Sequence, residues 1–197
     1  MNVRATPEAA AGKPSASMIG VLVVQIIIGY EWLLSGIAKI AAGDFPSGLG
    51  DDLAAAAPPG WYARFLNGAI SPNSVAFGYV IEIAEVLAGI ALIAGPLIWT
   101  FAWGRTTNNL RILVVALMIV ASTGGIFMTL NFHLANNGNH PWQIPASPFD
   151  EAVDVDLLMV AIQGVITAVQ IAALRRLRVE GTDLVSAVAG ARQPEHA

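Results

Sequence analysis

The sequence predicts an all-α integral membrane protein, a four-helix bundle with a long extracytoplasmic first loop. Three observations support this prediction. Hydrophobic residues make up 55% of the 197 residues and charged residues only 12%, whereas an ordinary soluble domain is about 25% charged. Four apolar stretches approach the ~20 residues that a helix needs to cross a bilayer. Most of the ten Lys and Arg residues lie on one side of these stretches.

The chain begins with a polar segment, residues 1–17, that is rich in Ala, Pro and Ser. We predict a cytoplasmic tail here, because the apolar run that follows is too long for the core of a signal peptide. Residues 19–40 form the first predicted span. This span contains Glu31, Ser35 and Lys39 at successive steps of four residues, which places them on one stripe of a helix. Such a stripe should face protein rather than lipid.

Residues 42–74 form a long connection between the first and second spans. Its many Gly and Pro residues argue against another span, whereas Trp61, Tyr62 and Phe65 indicate a short amphipathic segment at the membrane interface. We expect this connection to lie across the extracytoplasmic face.

The second predicted span, residues 75–99, carries two acidic residues inside an apolar run. Glu82 and Glu85 are three residues apart and therefore share one face of a helix. Gly89 lies four residues further along that face, where it allows a second helix to approach closely. A carboxylate near the centre of a bilayer costs a few kcal/mol. The two glutamates are therefore the first candidates for a functional site.

The third predicted span covers residues 112–130, and the fourth covers residues 157–174. Small residues in the middle of the third span favour close packing against other helices. Asn131 and His133 follow this span in a polar loop, where a solvated or helix-capping histidine is the usual case. Both residues are expected on the extracytoplasmic side.

The positions of the basic residues predict the orientation. They concentrate in the two terminal tails and in the turn after the second span, so the positive-inside rule places both termini in the cytoplasm. The sequence thus predicts a multi-pass protein of the inner (cytoplasmic) membrane, with a four-helix domain at residues 18–178 and a cytoplasmic tail at residues 179–197. Four tryptophans are interpreted as interface anchors: Trp61, Trp99, Trp103 and Trp142.

Counting ~1.5 Å per residue along each helix places the ionisable side chains in two tiers. Lys39 and Glu82 lie near the outer surface and are predicted to form an ion pair, which offsets the desolvation of each. Glu31 and Glu85 lie near the middle of the membrane without a cation at their depth. Two carboxylates in a low dielectric do not both ionise, so we predict that this pair shares a proton. The alternative is a structural role, in which these charged side chains hold the helices of the bundle together.

The sequence disfavours several kinds of site. It has no cysteine, which excludes disulfides, thiolate zinc sites and cysteine-ligated iron–sulfur clusters. His133 and His140 lack a third ligand, so no metal or haem site is predicted, and no flavin signature is present. Nucleic acid binding is disfavoured because the one basic cluster, at residues 175–178, abuts a hydrophobic span.

Several sequence elements together resemble a known family. Residues 29–39 read Gly-Tyr-Glu-Trp-Leu-Leu-Ser-Gly-Ile-Ala-Lys, residues 82–89 read Glu-Ile-Ala-Glu-Val-Leu-Ala-Gly, and Asn131-Phe closes the third span. With these elements the chain is similar to the DoxX/DoxD-type four-helix membrane proteins. The spacing of residues 61–65 and 70–73 in the first connection is closer to DoxD, the membrane subunit of thiosulfate:quinone oxidoreductase.

The resemblance implies an association with quinone-linked electron transfer, with quinone as the cofactor. The candidate catalytic groups are the ionisable side chains of the two tiers: Glu31, Lys39, Glu82 and Glu85. The candidate cofactor-binding residues are Ser35, Asn131 and His133.

Three functions compete at this point. The first is the membrane subunit of a thiosulfate:quinone-type oxidoreductase, in which buried carboxyl groups exchange protons with a quinone in an apolar pocket. The second is a non-catalytic accessory subunit of a larger respiratory or photosynthetic complex. Both imply the lipid bilayer and other membrane subunits of a redox complex as partners. A small-solute or proton transporter is a third and weaker candidate, because four spans without paired broken helices leave little for alternating access.

Overall fold

The computed structural model describes residues 16–56, 58–136 and 155–190. These residues are almost entirely helical and contain no strand. The predicted tail up to residue 15, His140 and Trp142 lie outside the described residues. The described residues form six α-helices: α1 (Ala16–Ala42), α2 (Phe45–Ala55), α3 (Gly60–Phe65), α4 (Ser74–Leu97), α5 (Asn108–Ala135) and α6 (Val155–Gly190).

Four helical stretches are long and apolar enough to cross a membrane. Three of them lie in α1, α5 and α6, and the remaining one, residues 60–105, contains α4. This confirms the prediction of an all-helical chain with four candidate spans. Helix α1 packs mainly against α4, and α5 packs mainly against α6, while a contact between α4 and α5 joins the two pairs. Helices α1 and α6 meet less extensively. A surface groove of about 390 Å³ lies between them, lined by Val21, Val24, Ile162 and Val165 among other residues.

The first connection is helical over most of its length, which corrects the prediction of a long loop at residues 42–74. Pro46 lies in the first turn of α2, and Pro59 immediately precedes α3. A proline is tolerated at these positions because the first turn of a helix needs no backbone N–H donor. The prolines that argued for a loop therefore mark the starts of helices. From α3 the chain continues through a π-helical turn and a 3₁₀ turn directly into α4.

Gly43 ends α1 and turns the chain back over the bundle. Its φ of 76° lies in the left-handed region, which an L side chain rarely adopts. Its N–H donates to the carbonyl of Lys39 at 3.1 Å, as in a common type of helix C-cap. Helix α2 then packs against the start of α4, where Pro46 contacts Gly78.

The backbones of α1 and α4 lie in direct contact because glycines face each other across the interface. A Cβ atom on Gly89 would lie 2.6 Å from the backbone N of Leu33 and 2.8 Å from the carbonyl O of Gly29. One on Gly36 would lie 2.9 Å from the backbone N of Val86. Small residues of this kind permit close helix packing in membranes. The glycines therefore fix how far α1 is shifted along α4.

Trp99 is a core residue rather than an exposed interface anchor. It is 9% exposed and belongs to a hydrophobic cluster with Leu22 and Met118. Its ring stacks on that of Trp103 at 4.4 Å between centroids. Arg111 donates to the carbonyl of Trp103 at 2.7 Å and lies over the Trp103 ring. This end of the bundle is thus closed by a stacked aromatic pair capped by a cation.

Pro96 lies inside α4 and leaves one carbonyl of the helix without its usual partner. Proline has no N–H to donate to the carbonyl four residues earlier, which belongs to Leu92. The side-chain amide of Gln25 on α1 donates to that carbonyl at 3.3 Å. Gln25 is fully buried and also accepts a hydrogen bond of 2.7 Å from Gln170 on α6. A neighbouring helix thus satisfies the polar group that the proline leaves free.

We expect Gln25→Leu to lower the free energy of unfolding by about 1–2 kcal/mol, because the Leu92 carbonyl and the Gln170 amide both lose a partner in the interior. Thermal unfolding in detergent, followed by circular dichroism, measures the change. The matched background is Pro96→Ala, which supplies a backbone N–H for the Leu92 carbonyl. There the same substitution should cost less, and an equal cost in both backgrounds would show that Gln25 does not compensate for the proline.

Candidate functional site

Polar side chains meet where α1 ends and α4 begins, at what we call the lysine end of the bundle. The ammonium group of Lys39 donates to both carboxylate oxygens of Glu85, at 2.7 and 2.9 Å. It also donates to the hydroxyl of Ser35 at 2.6 Å. An ammonium group has three N–H donors, so these contacts use all of them. We refer to Lys39, Glu85, Ser35 and Glu82 as the polar cluster.

Four helices surround the ammonium group of Lys39. Helix α1 supplies Ser35 and α4 supplies Glu85. Helices α2 and α5 each supply an aromatic ring, Phe45 at 5.3 Å and Phe132 at 6.0 Å from the ammonium nitrogen to the ring centroid. Ring faces at this distance attract a cation. The lysine is therefore held by its ion pair and by aromatic faces together.

The Lys39–Glu85 ion pair is buried unevenly. The side chain of Glu85 is 0% exposed, whereas that of Lys39 is 21% exposed. Removing a carboxylate from water is costly, and this cost is offset only by good geometry and further hydrogen bonds. Here both carboxylate oxygens accept from the ammonium group, and Ser35 takes its remaining donor. The pair is consequently well satisfied within the protein.

The prediction that Lys39 pairs with Glu82 is wrong, because its partner is Glu85. The prediction came from counting residues along each helix from an assumed start. In the structure the shift between α1 and α4 is fixed by glycine contacts, and Gly36 lies against Val86 and the Cβ of Glu85. Lys39 follows Gly36 by three residues. This register brings the ammonium group to Glu85, one turn deeper than Glu82.

The predicted proton-sharing pair of Glu31 and Glu85 is also wrong. Both oxygens of Glu85 accept from Lys39, and Glu31 is exposed on the surface of α1. A helix rotates by 100° per residue. The eight steps from Glu31 to Lys39 are therefore two full turns and a further rotation of about 80°. That rotation carries Lys39 into the interface and leaves Glu31 outside it.

Glu82 has the one buried side-chain oxygen without a hydrogen bond among the residues that the structure describes. The residue is 5% exposed, and the unpartnered atom is Oε1. Glu82 lies on α4 one turn from Glu85, toward the lysine end. Buried polar atoms in folded proteins nearly always have a partner, and leaving one unsatisfied is costly. Within the polar cluster, this oxygen is thus the acceptor that the described residues leave without a partner.

The two remaining polar candidates, Asn131 and His133, lie on α5. The amide oxygen of Asn131 accepts from the hydroxyl of Tyr62 at 2.6 Å, and its amide nitrogen donates to the carbonyl of Phe127 at 2.6 Å. Asn131 therefore connects α3 to α5 and has a partner on each side-chain polar atom. His133 is 6% exposed within α5. Of the two expected cases, a solvated or a helix-capping histidine, the structure excludes the solvated one, because α5 continues to Ala135, beyond the predicted end at residue 130, and His133 lies in its last turn.

Sequence reasoning missed a buried polar seam that connects α6 to the other helices. Gln170 donates to Gln25 at 2.7 Å, and Trp32 donates to Gln163 at 3.1 Å. Thr167 donates to Ser122 at 2.8 Å. The signal was present in the fourth apolar run, where Gln163, Thr167 and Gln170 recur at the i, i+4, i+7 spacing of one helix face. The seam is composed of these side chains: Gln25, Trp32, Ser122, Gln163, Thr167 and Gln170.

The described residues include no group of three or more His, Cys, Asp or Glu side chains that could hold a metal ion. The groove between α1 and α6 is lined by other residues than those of the polar cluster. What the polar cluster offers chemically is a fixed ammonium group, a satisfied carboxylate and a second carboxyl group with one free oxygen. Such an arrangement can bind a hydroxyl or carbonyl group and can exchange a proton with it.

Comparisons of this chain with known protein families, with curated proteins and with solved structures found no match. The resemblance to the DoxX/DoxD-type family therefore stays a prediction from the sequence elements quoted above. The geometry of the polar cluster has to support any functional proposal by itself.

Proposed function

We propose that the protein is a small membrane subunit linked to quinone-dependent electron transfer, in which a buried carboxyl group handles protons beside a quinone. The observation that carries this proposal is the unpartnered Oε1 of Glu82, buried one turn from the Lys39–Glu85 ion pair. A quinone, when bound, supplies two-electron chemistry in which two carbonyl oxygens each gain a proton. A carboxyl group can donate to a carbonyl oxygen and accept from a hydroxyl, so Glu82 fits both forms of this ligand.

Each residue of the polar cluster has a role in this proposal. Glu82 exchanges the proton at Oε1. Lys39 contributes a positive charge nearby, which stabilises negative charge on a ligand oxygen. Glu85 and Ser35 hold Lys39 in place through its three hydrogen bonds. They act as positioning residues, since their side chains bond to Lys39 and only Lys39 acts on the ligand.

The aromatic rings around Lys39 support the same kind of ligand. Phe45 and Phe132 lie within 6.0 Å of the ammonium group and make its surroundings largely apolar. Pockets for such ligands are mostly apolar with a few well-placed polar groups. By the positive-inside rule we place this lysine end on the extracytoplasmic side of the inner membrane. The electrons come from a partner redox subunit.

The test is the quinone content of the protein purified in mild detergent. We expect Glu82→Leu to reduce quinone affinity by about 10–100-fold, the effect of losing one hydrogen bond to a carboxyl group in a dry site. Because Oε1 has no partner among the described residues, the substitution removes a buried unsatisfied oxygen, and the unfolding temperature should equal or exceed that of the parent protein. Extracted quinone, quantified against protein by chromatography, provides the measurement.

The matched control is Asp52→Leu, which removes an exposed carboxylate from α2 and should leave bound quinone unchanged. Equal quinone content in the parent protein and the Glu82→Leu variant would contradict the proposal. So would a parent protein that contains no quinone and takes up none from quinone-containing vesicles.

A non-catalytic accessory subunit of a larger respiratory or photosynthetic complex is the second candidate. The observation that favours it is the saturation of the Lys39–Glu85 pair, whose ammonium donors are all used inside the protein. A pair satisfied in this way serves to hold helices together. Under this alternative the protein co-migrates with a large complex, and the turnover of that complex survives Glu82→Leu.

A further inference from the structure

Glu31 is a charged residue on the outer surface of a helix that is long enough to span a membrane. It lies near the middle of the 27-residue α1 and is exposed. Within the part of the chain that the structure describes, no hydrogen bond or ion pair engages its carboxyl group. A carboxylate that faces lipid at this depth costs several kcal/mol, so such residues normally face protein or a polar cavity. The surface of α1 around Glu31 therefore calls for a protein partner.

The residues beside Glu31 form a continuous face of α1. Ile27 is 60% exposed, Tyr30 is 58% exposed and Leu34 is 45% exposed. Gly20, Ile27 and Leu34 recur every seven residues, the spacing that keeps one face of a helix against a parallel neighbour. Gly20 also lines the groove between α1 and α6, so at this end the face continues into the groove. This face, which we call the Glu31 face, is thus open along several turns of the helix.

Other exposed faces of the bundle differ from the Glu31 face in one respect. On α4 the exposed residues at middle depth are apolar, including Val80, Ile83 and Leu87. On α5 they include Leu117 and Val120. Such faces suit lipid chains. The Glu31 face combines apolar side chains with a carboxyl group that lipid chains cannot satisfy.

We infer that the Glu31 face is the contact surface between two copies of this chain. Copies inserted in the same orientation bring their α1 helices together in parallel around a two-fold axis along the membrane normal. Each Glu31 then lies at the same depth as its counterpart. A protonated carboxyl group donates to an ionised one, so a single shared proton satisfies both. The hydroxyl group of Tyr30, the neighbouring residue, is available as a further donor.

A second copy fits this surface better than a helix with a basic residue from another protein. The partner group has to lie at the depth of Glu31. In a symmetric pair of copies the second Glu31 always lies at that depth, whereas a basic residue of another protein would have to match it independently. A polar residue at one position of an otherwise apolar helix face also fixes the register and orientation of a helix pair. The inference does not rest on the proposed quinone site, because Glu31 is separate from the polar cluster.

Cysteine cross-linking tests the inference directly, since the natural chain contains no cysteine. Ile27→Cys and Leu34→Cys place single thiols at the centre of the proposed contact. We expect copper-phenanthroline oxidation in intact membranes to convert each variant to a covalent dimer. The matched control is Val120→Cys. The side chain of Val120 is 69% exposed, but it lies on α5, outside the proposed contact. This variant should remain monomeric under the same oxidation.

A second measurement tests the role of Glu31 itself. We expect Glu31→Leu to weaken dimerisation by roughly tenfold in a fluorescence energy transfer titration in vesicles. Glu31→Gln should dimerise nearly as well as the parent chain, because two amides can donate to and accept from each other. Absence of a covalent dimer at both α1 positions, an equal yield at Val120→Cys, or cross-linking to a different protein would overturn the inference. An unchanged affinity in Glu31→Leu would do the same.

Discussion

Lys39→Met is expected to lower the free energy of unfolding by about 3–5 kcal/mol, the usual effect of removing one partner of a buried ion pair. The reason is the complete burial of Glu85, whose two oxygens both accept from Lys39. Without the ammonium group, this carboxylate stays in the interior with no cation to compensate for its lost hydration. Thermal or denaturant unfolding in detergent, followed by circular dichroism, measures the change.

The double variant Lys39→Met/Glu85→Leu should recover most of the lost stability, because replacing both partners with apolar residues removes the stranded charge. A double-mutant cycle also separates the two possible partners of the lysine. Strong coupling is expected between Lys39 and Glu85, and weak coupling between Lys39 and Glu82. The opposite result would restore the ion pair predicted from the sequence and would contradict the observed register of α1 and α4.

Gly89→Ala is expected to destabilise the protein by about 3 kcal/mol, the upper end of the usual range for overpacking. The added Cβ would lie 2.6 Å from the backbone N of Leu33 and 2.8 Å from the carbonyl O of Gly29. Backbone atoms cannot rotate away as a flexible side chain can, so α1 and α4 have to separate. Because the same contact positions Lys39 against Glu85, the ion pair should weaken as well. The unfolding temperature in detergent measures the combined effect.

Gly124→Ala provides the matched control, since the same methyl group on α5 would meet no other atom within 4 Å. Alanine is the better helix former by about 1 kcal/mol, so this variant should be as stable as the parent protein or slightly more stable. Equal losses in the two alanine variants would show that α1 and α4 are not in the close contact described here.

The pattern of Glu82 and Glu85 shows how far sequence reasoning reaches at the candidate site. Their spacing places both on one face of a helix, and the structure confirms that both are buried. The spacing does not say which of them meets Lys39. That depends on the shift of α1 along α4, which contacts between Gly29, Gly36 and Gly89 determine. Contacts between distant parts of the chain leave no signal in a count of residues along one helix.

The first connection shows a second limit. Pro46, Pro59 and the neighbouring glycines predicted a loop, yet they begin or separate helices. A proline excludes the interior of a helix but is favourable in its first turn, so local composition fits both outcomes. Packing decided between them, since α2 has the start of α4 to pack against.

By itself the sequence determined that four long apolar helices form, because the length and hydropathy of each run decide whether it can bury its own backbone in a bilayer. It also determined which side chains share a face within one helix, because the helical period is fixed. Only the tertiary structure decided that Lys39 pairs with Glu85, that Glu82 retains an unpartnered oxygen and that Glu31 points away from the bundle. Those outcomes depend on the rotation and register of one helix against another, which are set where backbones from distant parts of the chain come into contact.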